Sequence, residues 1–240
     1  MSSPAQPVVA PAPAFAGFDT SAYPGDQTMS LWIEASPYVF VAYYLVAPCH
    51  HQKPPWMGHR AALVDMGWNL LPVYVGQQVA GVSPCKSSIL TAAQGEADAL
   101  DASSKMASEG FPSGSFVYLD VERTDVVPAG LAAYITAWIS QLASGDFSPG
   151  VYCHKHNAND VRAAVLAGLS DPPVTNPRFW IVGGVTSHFN IDTSKPTDVG
   201  VSFANIWQCP ASVNRTFGGT KINIDENVAQ LADPAGPETA

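Results

Sequence analysis

The sequence predicts an α/β protein whose strands close into a barrel, with five strand–helix units followed by three strands. Three observations carry that expectation. Eight short apolar or β-branched runs punctuate the chain, at 15–19, 38–46, 70–75, 115–122, 150–154, 178–182, 203–209 and 221–225. Several are apolar almost throughout, as expected for strands covered on both faces in a parallel sheet. Helical periodicity fills the gaps between the first six runs and then stops.

The elements follow in order. Weak helical stretches at 28–35 and 56–66 separate the first three runs. A longer one spans 88–109 and delivers the chain to 115–122. The clearest lies at 128–143, where Pro128 suits a first turn and Leu131, Tyr134, Ile135, Trp138, Ile139 and Leu142 recur along one face before Gly145 closes it. A fifth begins at Asn157 or Asn159, either a good N-cap, and spaces Val161 and Val165 four apart before Gly168. From 183 to 202 the chain holds Gly, Ser, Asp, Asn, Thr and Pro without a helical stripe, which reads as a long loop. The last join, 209–221, contains Pro210, Gly218 and Gly219, and no helix for a parallel crossover, so the final strand is expected to return antiparallel. That order is an irregular TIM-like (β/α)5(β)3 barrel. An open doubly wound sheet with an antiparallel edge is the alternative.

Composition bounds what such a barrel can serve. The chain has 240 residues, 47% hydrophobic and 13% charged, against about 25% charged for an average soluble protein. Disorder is excluded, and one domain over 15–230 is expected. Prolines at 4, 7, 11 and 13 mark 1–14 as a flexible leader, and 231–240 reads as a flexible tail. Twenty acidic against eleven basic residues give a net charge of −9, which repels polyphosphate and argues against nucleic acid. The longest nearly unbroken apolar run, 39–47, falls far short of the roughly 18 residues of a membrane span. The leader has no positive start and no unbroken apolar core, so an export route, if used, carries no visible address. Cys49, Cys85, Cys153 and Cys209 form no CxxC pair; Cys49 and Cys85 could be bridged in an oxidising compartment, and the other two suit buried strand ends.

The chemistry sits at strand ends. Ser-Phe-Val-Tyr-Leu-Asp-Val-Glu closes with Asp120 and Glu122, and residues two apart share one face of a strand. Asp19 ends the first strand and Asp225 lies in the last. In a closed barrel all four could converge on one mouth, where active sites gather. Neighbouring carboxyl groups between apolar walls have their proton affinities driven apart, the arrangement that glycoside hydrolysis requires. Tyr23, Tyr44, Tyr74, Tyr152, Trp56 and Trp207 lie at or just past strand ends and offer flat surfaces for a sugar, with Gln208 beside Trp207. A rival reading places a metal on His154 and His156 with His50 and His51. A second rival is a carbohydrate-binding module without turnover.

Gly17-Phe18-Asp19 with Ser21, Asp120-Val121-Glu122, Gly150-Val151-Tyr152, Ile206-Trp207-Gln208 and Ile224-Asp225-Glu226-Asn227 together resemble the glycoside hydrolase family 25 lysozymes. The chain is most similar to their relatives, the bacterial family DUF1906, the Rv2525c-like glycoside hydrolase-like domain. The resemblance runs from about residue 16 to 230 and implies a barrel of five strand–helix units plus three strands. It implies Glu122 as proton donor to the glycosidic oxygen, Asp120 beside it orienting substrate or stabilising charge, and Asp19 and Asp225 completing an acidic cleft. A protein nucleophile or the substrate's own acetamido group could then act on the sugar. The expected partner is a polysaccharide, bacterial peptidoglycan, met by a monomer outside the cell or in its envelope. No cofactor and no metal are expected. The loop carrying Cys49, His50, His51, Lys53 and Trp56 does not resemble the lysozymes.

Overall fold

A computed structural model describes residues 14–45, 55–82, 88–169 and 176–238. The strands are β1 (Phe15–Asp19), β2 (Phe40–Leu45), β3 (Asn69–Val75), β4 (Phe116–Val121), β5 (Ser148–His154), β6 (Arg178–Val182), β7 (Ile206–Gln208), β8 (Val213–Phe217) and β9 (Thr220–Ala229). The helices among the described residues are α1 (Asp26–Ala35), α2 (Arg60–Met66), α3 (Ala92–Ser108), α4 (Ala129–Ala143) and α5 (Ala158–Ala167). Strands β1 to β7 pair in parallel in sequence order. Strand β9 then runs antiparallel between β7 and β1 and closes the ring. The open sheet is thereby excluded.

One strand exceeds the expected eight. β8 pairs only with β9, as a ribbon outside the ring, and its Asn214-Arg215-Thr216 centre is exposed. Gly218 and Gly219 turn the ribbon at φ 54° and 77°, backbone that residues with a Cβ rarely adopt. The loop between β6 and β7 holds two short 3₁₀ turns, Thr186–His188 and Pro196–Val199, and no α-helix.

Packing explains the sequence pattern. The predicted apolar face of α4, Leu131 through Leu142, is buried. Inside the ring, large and small side chains alternate between neighbouring strands. A Cβ on Gly17 would stand 2.4 Å from the Phe40 ring, and one on Gly150 would stand 2.7 Å from that of Tyr118. These two glycines make room for aromatic rings across the barrel interior.

After β9 the chain does not trail away as a tail. Residues 231–238 fold back beneath the barrel and bury Ala235. The Phe116 N–H donates to Ala235 O at 2.8 Å, the Tyr118 hydroxyl donates to Pro234 O at 2.7 Å, and Arg178 Nη1 donates to Pro234 O and Gly236 O at 2.9 and 3.1 Å. The Arg178 guanidinium also lies 3.8 Å over the Phe116 ring. Buried carbonyls and a buried cation satisfy one another there, so the sequence's polar appearance hid an ordered strap. Cys49, Cys85, His50 and His51 lie outside the described residues. Cys153 and Cys209 are buried free thiols. No helix among the described residues is long and apolar enough to cross a membrane.

Candidate active site

The carboxyl groups meet at the C-terminal rim of the parallel strands. Asp19 ends β1 directly opposite Asp225 of β9, because the antiparallel closure places these two residues in register. Asp120, next to last in β4, lies between Val75 of β3 and Tyr152 of β5, and Glu122 follows on the same face.

Asp19 is 4% exposed, yet it is held by donors from three strands. Gln208 Nε2 and Asn227 Nδ2 donate to its Oδ2 at 3.0 and 2.8 Å, and the Tyr44 hydroxyl to its Oδ1 at 3.3 Å. Burial, reinforced by the Asp225 carboxylate, outweighs those bonds and pushes Asp19 up to about 8. Burial raises Asp120 well above the usual carboxylate range, with Glu122 and Asp19 adding to it. Its buried Oδ1 finds no hydrogen-bond partner among the described residues. Burial also raises Glu122, against one opposing backbone hydrogen bond, and raises Asp225, against bonds from Ser212 and Gln208. The Ser212 hydroxyl donates to Asp225 Oδ1 at 2.5 Å. Glu122 and Asp225 remain half-buried, within reach of a ligand.

Two of the expected tyrosines join the acids. Tyr44 and Tyr152 are half-buried, and both phenols are pushed up by burial and by surrounding carboxylates, Asp19, Asp120 and Asp225 among them. Phenols that keep their protons can donate to a sugar oxygen. The Tyr152 ring packs edge-on against Trp180 at 4.8 Å, and Trp180 Nε1 donates to Asn227 Oδ1 at 2.8 Å. Trp180 carries no signal in the sequence, and Asn227 appears there only within the Ile224-Asp225-Glu226-Asn227 motif, without a role.

The other aromatics face elsewhere. Tyr74 points outward from β3 and donates to Asp101 of α3 at 2.9 Å, because it has the opposite strand parity to the lumen-facing Val75. Trp207 is fully buried on the outer face of β7, donating to Gly183 O at 2.8 Å under the edge of Phe189. Its neighbour Gln208 takes the lumen side. Tyr23 is buried beyond β1, bonded to Asp26, stacked on His59 at 4.0 Å and edge-on to Trp56 at 5.0 Å. Trp56 is itself buried and donates to Thr20 O at 3.0 Å. None of these four is a platform beside the acids.

The histidines at and just past the end of β5 are turned toward backbone. His154 Nδ1 accepts from the His156 N–H at 3.0 Å, and His156 Nε2 meets Asp125 O at 3.1 Å. Among the described residues no group of three or more His, Cys, Asp or Glu is arranged to hold a metal ion.

The chain is a closed eight-stranded α/β barrel with carboxyl groups gathered at its strand ends, and comparison with known proteins identifies it as glycoside hydrolase-like. The chain belongs to the Rv2525c-like, glycoside hydrolase-like domain family, whose model matches residues 31–229. Among solved structures it is similar to the Tat-secreted protein Rv2525c of Mycobacterium tuberculosis, crystallised with L-tartrate, with a TM-score of 0.53 and 21% identity over 89% of this chain and 94% of that one. It is also similar to the catalytic domain of endolysin ply40 from bacteriophage P40 of Listeria monocytogenes (TM-score 0.59, 12% identity, 92% and 95% covered). A lysozyme of Streptomyces coelicolor gives a TM-score of 0.55 at 14% identity, with 92% and 96% covered. At such identities these likenesses establish the fold. Among curated proteins none matches.

Proposed function

We propose that this protein hydrolyses a glycosidic bond of bacterial cell-wall glycan, with Glu122 as the general acid. The observation that carries this reading is the convergence of Asp19, Asp120, Glu122 and Asp225 on one rim, where burial raises the proton affinity of each. A half-buried glutamic acid that keeps its proton to higher pH than a free one can deliver it to a leaving glycosidic oxygen. Asp120, two residues earlier on the same face, orients the sugar or, when ionised, steadies the positive charge that develops as the bond breaks. Tyr44, Tyr152 and Gln208 supply hydrogen bonds to the ring substituents. The lysozyme and endolysin neighbours support a peptidoglycan substrate, and the Tat-secreted neighbour supports a location outside the cytoplasm or in the envelope.

The test is a digestion panel of peptidoglycan, chitin and other polysaccharides, with released fragments identified by mass spectrometry. Peptidoglycan fragments with new reducing ends are expected. Glu122→Gln should cut their release by about 10²- to 10⁴-fold while leaving the fold intact. Turnover should also fall as pH rises through the raised Glu122 value, because the acid then lacks its proton. Unchanged release by Glu122→Gln rejects the assigned acid. Saturable glycan binding without release by the unaltered protein replaces hydrolysis with recognition alone.

A further inference from the structure

The pairing of β3 with β4 stops at Val75 and Asp120, yet Glu122 lies two residues further along. Past Val75 the chain leaves the sheet, and the side chain of Gln78 returns to it. Gln78 is 2% exposed. Its Nε2 donates to the Asp120 carbonyl at 2.8 Å, and its Oε1 accepts from the Glu122 N–H at 3.1 Å.

In a parallel sheet one residue bonds the carbonyl of one partner and the N–H of the partner two positions on. The Gln78 carboxamide makes that pair of bonds with Asp120 and Glu122. It stands in for the strand residue that β3 no longer provides and carries the ladder to Glu122. Without it, the Asp120 carbonyl and the Glu122 N–H, on the two peptide groups that flank Val121, would lose these partners at the strand end.

The turn that presents Gln78 is itself anchored from the helix layer. The Gln77 N–H donates to the Tyr134 hydroxyl at 3.2 Å, and that hydroxyl donates to Asp98 Oδ2 at 2.7 Å. Gln94 Nε2 donates to Asp98 Oδ1 at 2.7 Å, and Gln77 Nε2 reaches Oδ2 at 3.3 Å. At Gly76 a Cβ would stand 2.2 Å from the Tyr134 oxygen, so glycine is what lets the turn sit on this buried network. Asp98, Tyr134 and Gln77 fix the turn, the turn fixes Gln78, and Gln78 fixes the backbone of both acids.

We infer that Gln78 is a positioning residue, setting the orientation of the Asp120 and Glu122 carboxyl groups through its bonds to their backbone. This rests on the reading of Glu122 as the acid, and the experiment separates the two. Gln78→Met keeps the side-chain length and removes both bonds. Gln78→Glu keeps an acceptor for the Glu122 N–H and removes the donor to Asp120. The control is Asn205→Ala, which breaks bonds of the same kind, from the Phe179 N–H at 2.8 Å and to Gln230 Oε1 at 3.1 Å, at the opposite end of the barrel.

Two readouts are compared: kcat and KM on peptidoglycan, and carboxyl titration followed by NMR on protein carrying 13C-labelled Asp and Glu. Gln78→Met should lower kcat by about 10- to 100-fold with KM within about twofold, since small misplacements of a reacting group cost that much. The Glu122 and Asp120 titrations should move by at least about half a pH unit, and Gln78→Glu should show a smaller loss of kcat. Asn205→Ala should lose stability and leave both readouts in place. Titration curves of Gln78→Met that superimpose on those of the unaltered protein overturn the inference, whatever its melting temperature. Should the unaltered protein release no fragments, the hydrolytic reading fails, and the titrations still decide whether Gln78 positions the acids.

Discussion

The floor and the mouth of this barrel both hold ionisable side chains in a low-dielectric interior, and they treat them in opposite ways. At the floor, Arg178 is 8% exposed, with Pro234 and Gly236 carbonyls as acceptors and the Phe116 face beneath its guanidinium. At the mouth, Asp19 has three donors and is still pushed up to about 8, and Asp120 has a buried oxygen without a partner among the described residues. A buried charge with hydrogen-bond partners is tolerated and becomes costly when a partner is removed, whereas groups left short of partners are costly from the start. The floor is built for the fold. Among the described residues, the mouth keeps unspent hydrogen-bonding capacity at Asp120 Oδ1 and Gln208 Oε1.

The largest test of this contrast removes the strap. A chain ending at Gln230 leaves the Phe116 N–H, the Tyr118 hydroxyl and Arg178 without their acceptors. Several buried groups deprived at once should cost on the order of 5 kcal/mol, lowering Tm by roughly 10 to 20 °C in thermal unfolding. A smaller change would mean that the floor is held by the ring alone. Arg178→Met should cost less, about 3 kcal/mol in urea unfolding, because two carbonyls lose a donor while Tyr118 still reaches Pro234.

The smallest effect has the opposite sign. With its folded value raised from 3.8 to about 8, Asp19 favours the fold when protonated. Its contribution is therefore fully present below pH 4 and is lost as pH climbs to about 8. Asp19→Asn holds the neutral form at every pH, so it should stabilise the protein by about 1 to 3 kcal/mol at pH 8, with the gain shrinking toward pH 4. A loss of stability at pH 8 would show that the mouth satisfies its charge as the floor does.

Much of the ring was legible in the sequence, because the signals there are local. β1 and β6 fall at the expected bounds, and α4 follows its apolar stripe. The convergence of Asp19, Asp120, Glu122 and Asp225 followed from strand parity once the barrel was assumed. Parity failed for the aromatics. A strand such as Asn-Leu-Leu-Pro-Val-Tyr-Val is apolar on both faces, so nothing local says which face is the lumen. Tyr74, expected as a sugar platform at a strand end, faces the helix layer, while Trp180 faces the lumen beside Tyr152. Trp207 followed the resemblance, and its neighbour Gln208 proved to be the lumen residue. β8 escaped because a two-stranded ribbon with an exposed centre buries too little to leave an apolar alternation. The strap escaped because its bonds run through backbone carbonyls, which any sequence carries.

The ring closes where β1 meets β9, joining residue 19 to residue 225. On the ribosome, at roughly 5 to 20 residues per second, the first strand waits on the order of 10 to 40 s for that partner. Throughout the wait the nascent chain offers a bare strand edge, the kind of template on which polypeptides aggregate. A glycine at its centre and a carboxylate at its tip make it a poor one. The residue that weighs against the finished barrel thus guards the unfinished one.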